Sequence, residues 1–122
     1  VAMLGNGNAI PSVCGEIAPG ADFYDYETKY VSDTASYYVP ARISESLSET
    51  IRETAKKIYS TLDCAGLSRV DFFYTEDGKL IFNEINTLPG FTSISMYPQL
   101  WKAAGIEYSE LIDKLIYFAM EE

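Results

Sequence analysis

Four side chains in this 122-residue chain have the types and spacing to do chemistry together: Arg69, Asp71, Glu84 and Asn86. They fall in two β-rich runs, Ser68–Tyr74 and Lys79–Asn86, which meet at Asp77-Gly78, a strong signal for a tight hairpin. A two-residue turn there pairs Glu76 with Lys79. Counting back, Phe73 faces Phe82, Asp71 faces Glu84, and Arg69 faces Asn86. Side chains alternate along a strand, so all four polar groups project from one face. Val70, Phe72, Tyr74, Ile81 and Ile85 form the other face, which reads as core.

That register sets two carboxylates directly opposite each other, which destabilises a sheet unless something offsets the repulsion. A divalent cation would do so, with Asn86 adding a third oxygen. All-oxygen ligation favours magnesium over zinc or copper, and magnesium held this way completes its shell with water and substrate phosphates. Arg69 on the same face could balance charge or grip a developing oxyanion. The alternative is a hairpin whose polar face simply meets water, with Arg69 bridging an acid. The next segment, Asn86-Thr-Leu-Pro-Gly-Phe-Thr-Ser-Ile-Ser95, is rich in small and hydroxyl residues. It reads as a substrate loop offering N–H groups and hydroxyls, or as an ordinary Pro-Gly turn.

These groups must be positioned by the rest of the chain. Val1–Leu4 and Ala9–Val13 flank Gly5-Asn6-Gly7-Asn8, read as a hairpin turn rather than a phosphate loop, because no helix follows. Val13–Ile17 extends the second strand. Ala18–Pro40 reads as an irregular stretch with five tyrosines and Lys29 as its single base, a lid or a packed loop. From Ser44 the period is helical, with Leu47, Ile51, Ala55, Ile58 and Leu62 on one face. Ser46 and Glu49 have capping-box spacing, and Gly66 follows the end. Two more helices, near Tyr97–Ala104 and Ser109–Met120, read as core cover, the latter through Leu111, Ile112, Leu115, Ile116 and Ala119. The expected fold is α+β, an antiparallel sheet with helices packed on one side, in a single domain over 1–122.

Composition narrows the chemistry. The chain has no histidine, which removes Ser-His-Asp and Cys-His machines and the usual zinc sites. Eighteen acids against nine bases give a net charge of −9 without basic clusters, so no nucleic-acid partner is expected. No apolar run approaches the roughly 18–20 residues of a membrane span. Cys14 and Cys64 are expected as reduced thiols, in keeping with a cytoplasmic protein. The opening Val-Ala-Met suggests a piece of a longer protein.

Three stretches in order, Phe23-Tyr-Asp-Tyr-Glu-Thr-Lys-Tyr30, Arg69-Val-Asp71 and Asn83-Glu-Ile-Asn-Thr-Leu-Pro-Gly-Phe-Thr-Ser-Ile-Ser95, resemble the D-alanine–D-alanine ligases. These are ATP-grasp enzymes of bacterial peptidoglycan synthesis. The resemblance covers essentially the whole chain and implies an ATP-dependent carboxylate–amine ligase acting through an acyl phosphate. It implies Asp71, Glu84 and Asn86 as ligands of two magnesium or manganese ions. Arg69 and the Gly90 N–H would meet the oxyanion, and Lys29 the transferred phosphate. Tyr30 would belong to the lid, with Ser95 and Met96 at the second substrate and Phe23, Phe82 and Asn83 at the nucleotide. The family's N-terminal region is not in this sequence, so the isolated chain is expected to be inactive, and the parent enzyme to be a homodimer. Related ligases make D-alanyl-D-serine or D-alanyl-D-lactate; the Lys29-Tyr30 pair favours D-alanine as the second substrate. A non-catalytic binding module is the competing class.

Overall fold

The computed structural model describes residues 1–18 and 36–121. Strands β1 (Ala2–Leu4) and β2 (Ile10–Pro11) form the first hairpin around the Gly-Asn turn. Pro11 lacks an N–H, and β2 is accordingly an edge strand. Strands β5 (Leu67–Tyr74) and β6 (Leu80–Asn86) form the second hairpin, and the sheet order is β2-β1-β5-β6 with every pairing antiparallel. Val1 and Val70 extend the β1–β5 ladder by exchanging backbone hydrogen bonds of 2.8 and 2.9 Å. The segment read as irregular has ordered ends: β3 (Glu16–Ala18) pairs with β4 (Ser36–Tyr38) as a separate two-stranded sheet. Strand β3, rather than an extension of β2, therefore occupies the end of Val13–Ile17.

Helix α1 (Glu45–Thr61) is capped by Ser44, whose Oγ accepts from Leu47 N; Ser46 is not the cap, so the Ser46/Glu49 box does not form. Its far end is closed by Asp63 rather than Gly66. Asp63 has φ +56°, its N–H donates to Ser60 O, and Cys64 N–H donates to Tyr59 O, the paired bonds of a Schellman motif. Gly66, with φ +81°, instead exchanges two hydrogen bonds with Gly5 of the first turn. Helices α2 (Met96–Ala103) and α3 (Tyr108–Met120) lie within a residue of the expected bounds.

The α+β class and antiparallel sheet are as expected, but the helices are divided between both faces of the sheet. Met3 packs with Ile51, Ala55 and Tyr59 of α1, whereas its neighbours Ala2 and Leu4 pack with Tyr97, Leu100, Trp101 and Leu111 of α2 and α3. A strand buried on both faces reads as a continuous apolar run, which is what Val1–Leu4 is. In α1 the buried stripe turns toward Tyr59, and Leu62 is left exposed. In α3 the core residues are Leu111, Leu115 and Phe118; Ile112 and Ile116 face outward, contrary to the expected stripe. Both cysteines are free thiols.

A non-glycine residue in the left-handed region is strained by roughly 1–2 kcal/mol. Replacing Asp63 with Gly should therefore raise unfolding stability by about 1 kcal/mol, read as a higher urea midpoint at unchanged slope.

Candidate functional site

The β5–β6 hairpin reaches the expected pairing by a route that sequence counting missed. Thr75 N–H bonds Lys79 O and Gly78 N–H bonds Thr75 O, so three residues, Glu76, Asp77 and Gly78, form the turn. The outer pairs are therefore Tyr74–Leu80, Phe73–Ile81 and Phe72–Phe82, one residue off the two-residue-turn register. Between Asp71 and Phe72 the register shifts, and one extra residue, Asn83, is taken up in β6 as a bulge. Beyond it the pairs are Asp71–Glu84, Val70–Ile85 and Arg69–Asn86, as expected. The longer turn and the bulge cancel. Ile81 consequently lies on the Asp71 face, and Phe82 takes its place on the core face, edge-on to Phe72 with ring centroids 6.1 Å apart.

Arg69 pairs with Ala2 of β1, so the polar face of the hairpin is the one that α2 and α3 cover near β1. Farther along β5 the face opens: Asp71 is partly buried and Glu84 is exposed. The Arg69 guanidinium lies against Asp71 in a two-pronged contact, Nε to Oδ1 at 2.8 Å and a terminal nitrogen to Oδ2 at 2.9 Å. Such a pair is what the plain polar hairpin also predicts. It also leaves room for a cation, because a carboxylate oxygen has a second lone pair after accepting one N–H. Asn86 Oδ1 accepts from Leu88 N–H at 3.0 Å, starting the next loop and fixing the amide oxygen. Among the described residues no three His, Cys, Asp or Glu side chains converge. The donor set is therefore two carboxylates and an amide oxygen, an all-oxygen group that fits a magnesium ion still carrying water and phosphate ligands.

The loop from Thr87 to Ser95 is tied down on both sides of Phe91. Ser95 Oγ accepts from Thr92 N–H at 3.0 Å and lies 2.7 Å from Thr92 Oγ1, while Ser95 N–H donates to Thr92 O at 3.0 Å. Ser95 is the N-cap residue of α2, but its hydroxyl serves the loop rather than the helix. The two hydroxyls share one hydrogen bond, in which either can be the donor. Gly90 is exposed, and among the described residues its N–H meets no acceptor. A Cβ there would sit 3.3 Å from Ser95 Oγ, so glycine lets the loop close this tightly. The Phe91 ring packs against Tyr97 and Tyr108, with centroids 5.7 and 5.4 Å away. The sequence pattern puts Tyr97 in a helix of core cover and leaves Tyr108 just outside the next one; Phe91, an aromatic residue in a loop of small residues, is the local signal that could have found them.

Of the other expected site residues, Phe82 is on the opposite face from Asp71, Asn83 is exposed in the bulge, and Met96 begins α2 beside Ser95. Phe23, Lys29 and Tyr30 lie outside the described residues. The strands leading to that segment are clamped by Arg42. Its guanidinium donates to both Glu16 oxygens, at 3.2 and 2.8 Å, and lies 3.6 Å over the Tyr38 ring. Those hydrogen bonds hold the Glu16 carboxyl below its ordinary pKa.

Comparison with known proteins places residues 1–117 in the family described as D-ala D-ala ligase C-terminus. A D-alanine–D-alanine ligase of Chlorobium phaeovibrioides is 55% identical over 122 residues, 99% of this chain and 34% of that protein. Among solved structures, the VanG D-Ala:D-Ser ligase of Enterococcus faecalis aligns with a TM-score of 0.84 at 44% identity, covering 96% of this chain and 34% of that one. The D-alanine–D-alanine ligase of Bacillus anthracis complexed with ATP aligns with a TM-score of 0.74 at 28% identity, covering 98% and 36%. The chain thus spans about a third of the length of the proteins it matches.

Ser95→Ala removes the acceptor of the Thr92 N–H in an exposed loop, and the expected loss of global stability is at most about 1 kcal/mol. Hydrogen exchange at Thr92 should nevertheless accelerate clearly, because the loop opens locally.

Proposed function

Because the chain belongs to the D-alanine–D-alanine ligase family, we propose that it forms the metal- and acceptor-side part of an ATP-dependent enzyme joining two D-alanines. One observation carries this reading: Asp71 and Glu84 are paired across a hairpin, with Arg69 and Asn86 as the next pair on the same face. A free-standing module would have little need to concentrate two acids, an amide and a guanidinium there.

In this reading Asp71, Glu84 and Asn86 would hold two magnesium ions, whose charge would offset that of the ATP phosphates and the transferred phosphoryl group. ATP transfers its γ-phosphoryl group to the carboxylate of the first D-alanine and leaves as ADP, and the amine of the second D-alanine then attacks the acyl phosphate. Charge collects on the former carbonyl oxygen of the tetrahedral intermediate, until phosphate leaves and the carbonyl re-forms. Arg69 is held by Asp71 on that face, and Gly90 is exposed with no acceptor for its N–H among the described residues, so the two suit an oxyanion. The Ser95 hydroxyl, beside Met96, would bind the carboxylate of the second substrate. Lys29 binds the transferred phosphate, and Tyr30 closes over the second substrate. Phe23, Phe82 and Asn83 belong to the nucleotide side. The bulge at Asn83 turns Phe82 away from the carboxylates, which suits two neighbours that serve different parts of one nucleotide.

The domain is one unit over 1–122 of a longer enzyme, whose remaining length supplies the other half of the nucleotide cleft. Its place is peptidoglycan precursor synthesis in the cytoplasm, as a homodimer. No helix among the described residues is long and apolar enough to cross a membrane. A second reading, D-serine as the second substrate, is favoured by the structural likeness to the D-Ala:D-Ser ligase at 44% identity.

The test is D-alanine-dependent phosphate release from ATP and magnesium by the full-length enzyme. Glu84→Gln should lower kcat by about 100-fold or more, the scale of losing one preorganised charge partner at a transition state. The isolated chain should be silent. Wild-type turnover in the Glu84→Gln enzyme, or no dependence on D-alanine, would contradict the reading; dependence on added D-serine would select the second one.

A further inference from the structure

We infer that Tyr108 is a positioning residue for the Gly90 N–H, acting through Phe91; this rests on the ligase reading above. Tyr108 is the first residue of α3, seventeen positions from Phe91 in sequence. Its hydroxyl donates to the Phe91 carbonyl oxygen at 2.6 Å, while its ring packs on the Phe91 ring with centroids 5.4 Å apart. One side chain thus holds both the backbone and the side chain of the residue after Gly90.

The grip is anchored in the core. Tyr97 closes on Phe91 with a centroid distance of 5.7 Å, and its own hydroxyl donates to Met3 O of β1 at 2.8 Å, fully buried. A continuous line runs from the central strand through Tyr97 and Phe91 to Tyr108. On the far side of Phe91, Thr92 is fixed by Ser95. Gly90 itself has no side chain and no partner for its N–H among the described residues, so its direction depends on its neighbours. An oxyanion donor is effective only if it is aimed beforehand, and a displacement of about 1 Å can cost on the order of 100-fold in rate.

Tyr108→Phe keeps the ring and removes the hydroxyl; Tyr108→Leu removes both. In the full-length enzyme the Phe variant should lower kcat by about 10-fold with KM for ATP unchanged, because an oxyanion contact exists only in the transition state. Its thermal midpoint should stay within about 2 °C of the parent. The Leu variant should fall further, with Phe recovering part of the loss. Exchange at the Thr92 and Ser95 amides should quicken several-fold in both variants. A Tyr108→Phe enzyme with the parent's kcat overturns the inference, as does one in which kcat falls only in step with folded protein. If the parent itself does not ligate, the ligase reading fails instead; unchanged Thr92 exchange in Tyr108→Phe then overturns the positioning role on its own.

Discussion

Asp71 faces Glu84 across the β5–β6 hairpin, and that pairing of like charges is the constraint on which the rest of the structure depends. In a sheet such a pair costs stability unless it is offset, and Arg69 offsets the Asp71 side by gripping its carboxylate. The hairpin itself is built so that the pair stays in register. A three-residue turn shifts the outer half of the hairpin by one residue, and the Asn83 bulge shifts it back before the acids are reached. Without the bulge, the longer turn would carry Glu84 out of line with Asp71. Bulges commonly re-aim side chains beside functional sites, and this one restores a pairing that is unfavourable by itself.

The two core clusters explain how the pair is held open to solvent. Helix α1 covers one face of the sheet through Ile51, Ala55 and Tyr59, giving the hairpin a rigid back. Helices α2 and α3 cover the other face at β1 and the start of β5, through Leu100, Trp101 and Leu111. Arg69 emerges at the edge of that cover. The loop that leaves β6 is fastened by Phe91 against Tyr97 and Tyr108, in the first turns of both helices. The same helices therefore bury the core and set the loop bearing Gly90 and Ser95.

Much of this was legible in the sequence, because side-chain alternation and the Asp77-Gly78 turn are local rules. The chemistry-bearing pairs Asp71–Glu84 and Arg69–Asn86 were read correctly, although through two compensating errors: the turn is one residue longer, and nothing about Asn83 announces a bulge. The outer strand faces were misread for the same reason, with Ile81 and Phe82 exchanged. The caps of α1 were shifted because several serines could compete for the N-cap, and because aspartate occupied the left-handed position where glycine is usual. The division of the helices between two faces depended on long-range packing. Its one local trace was the unbroken apolar run of Val1–Leu4. The family motifs, by contrast, pointed to Arg69, Asp71, Glu84 and Asn86 together, and the geometry brings these four onto one face.

The most direct measurement is a crystal structure of the full-length enzyme with manganese and a non-hydrolysable ATP analogue, using anomalous scattering to locate the ions. Metal peaks within roughly 2.0–2.3 Å of carboxylate oxygens of Asp71 and Glu84 and of the Asn86 amide oxygen are the predicted result. Nucleotide bound with its manganese ions on other residues, and Asp71 and Glu84 left to Arg69 and water, would contradict the central claim.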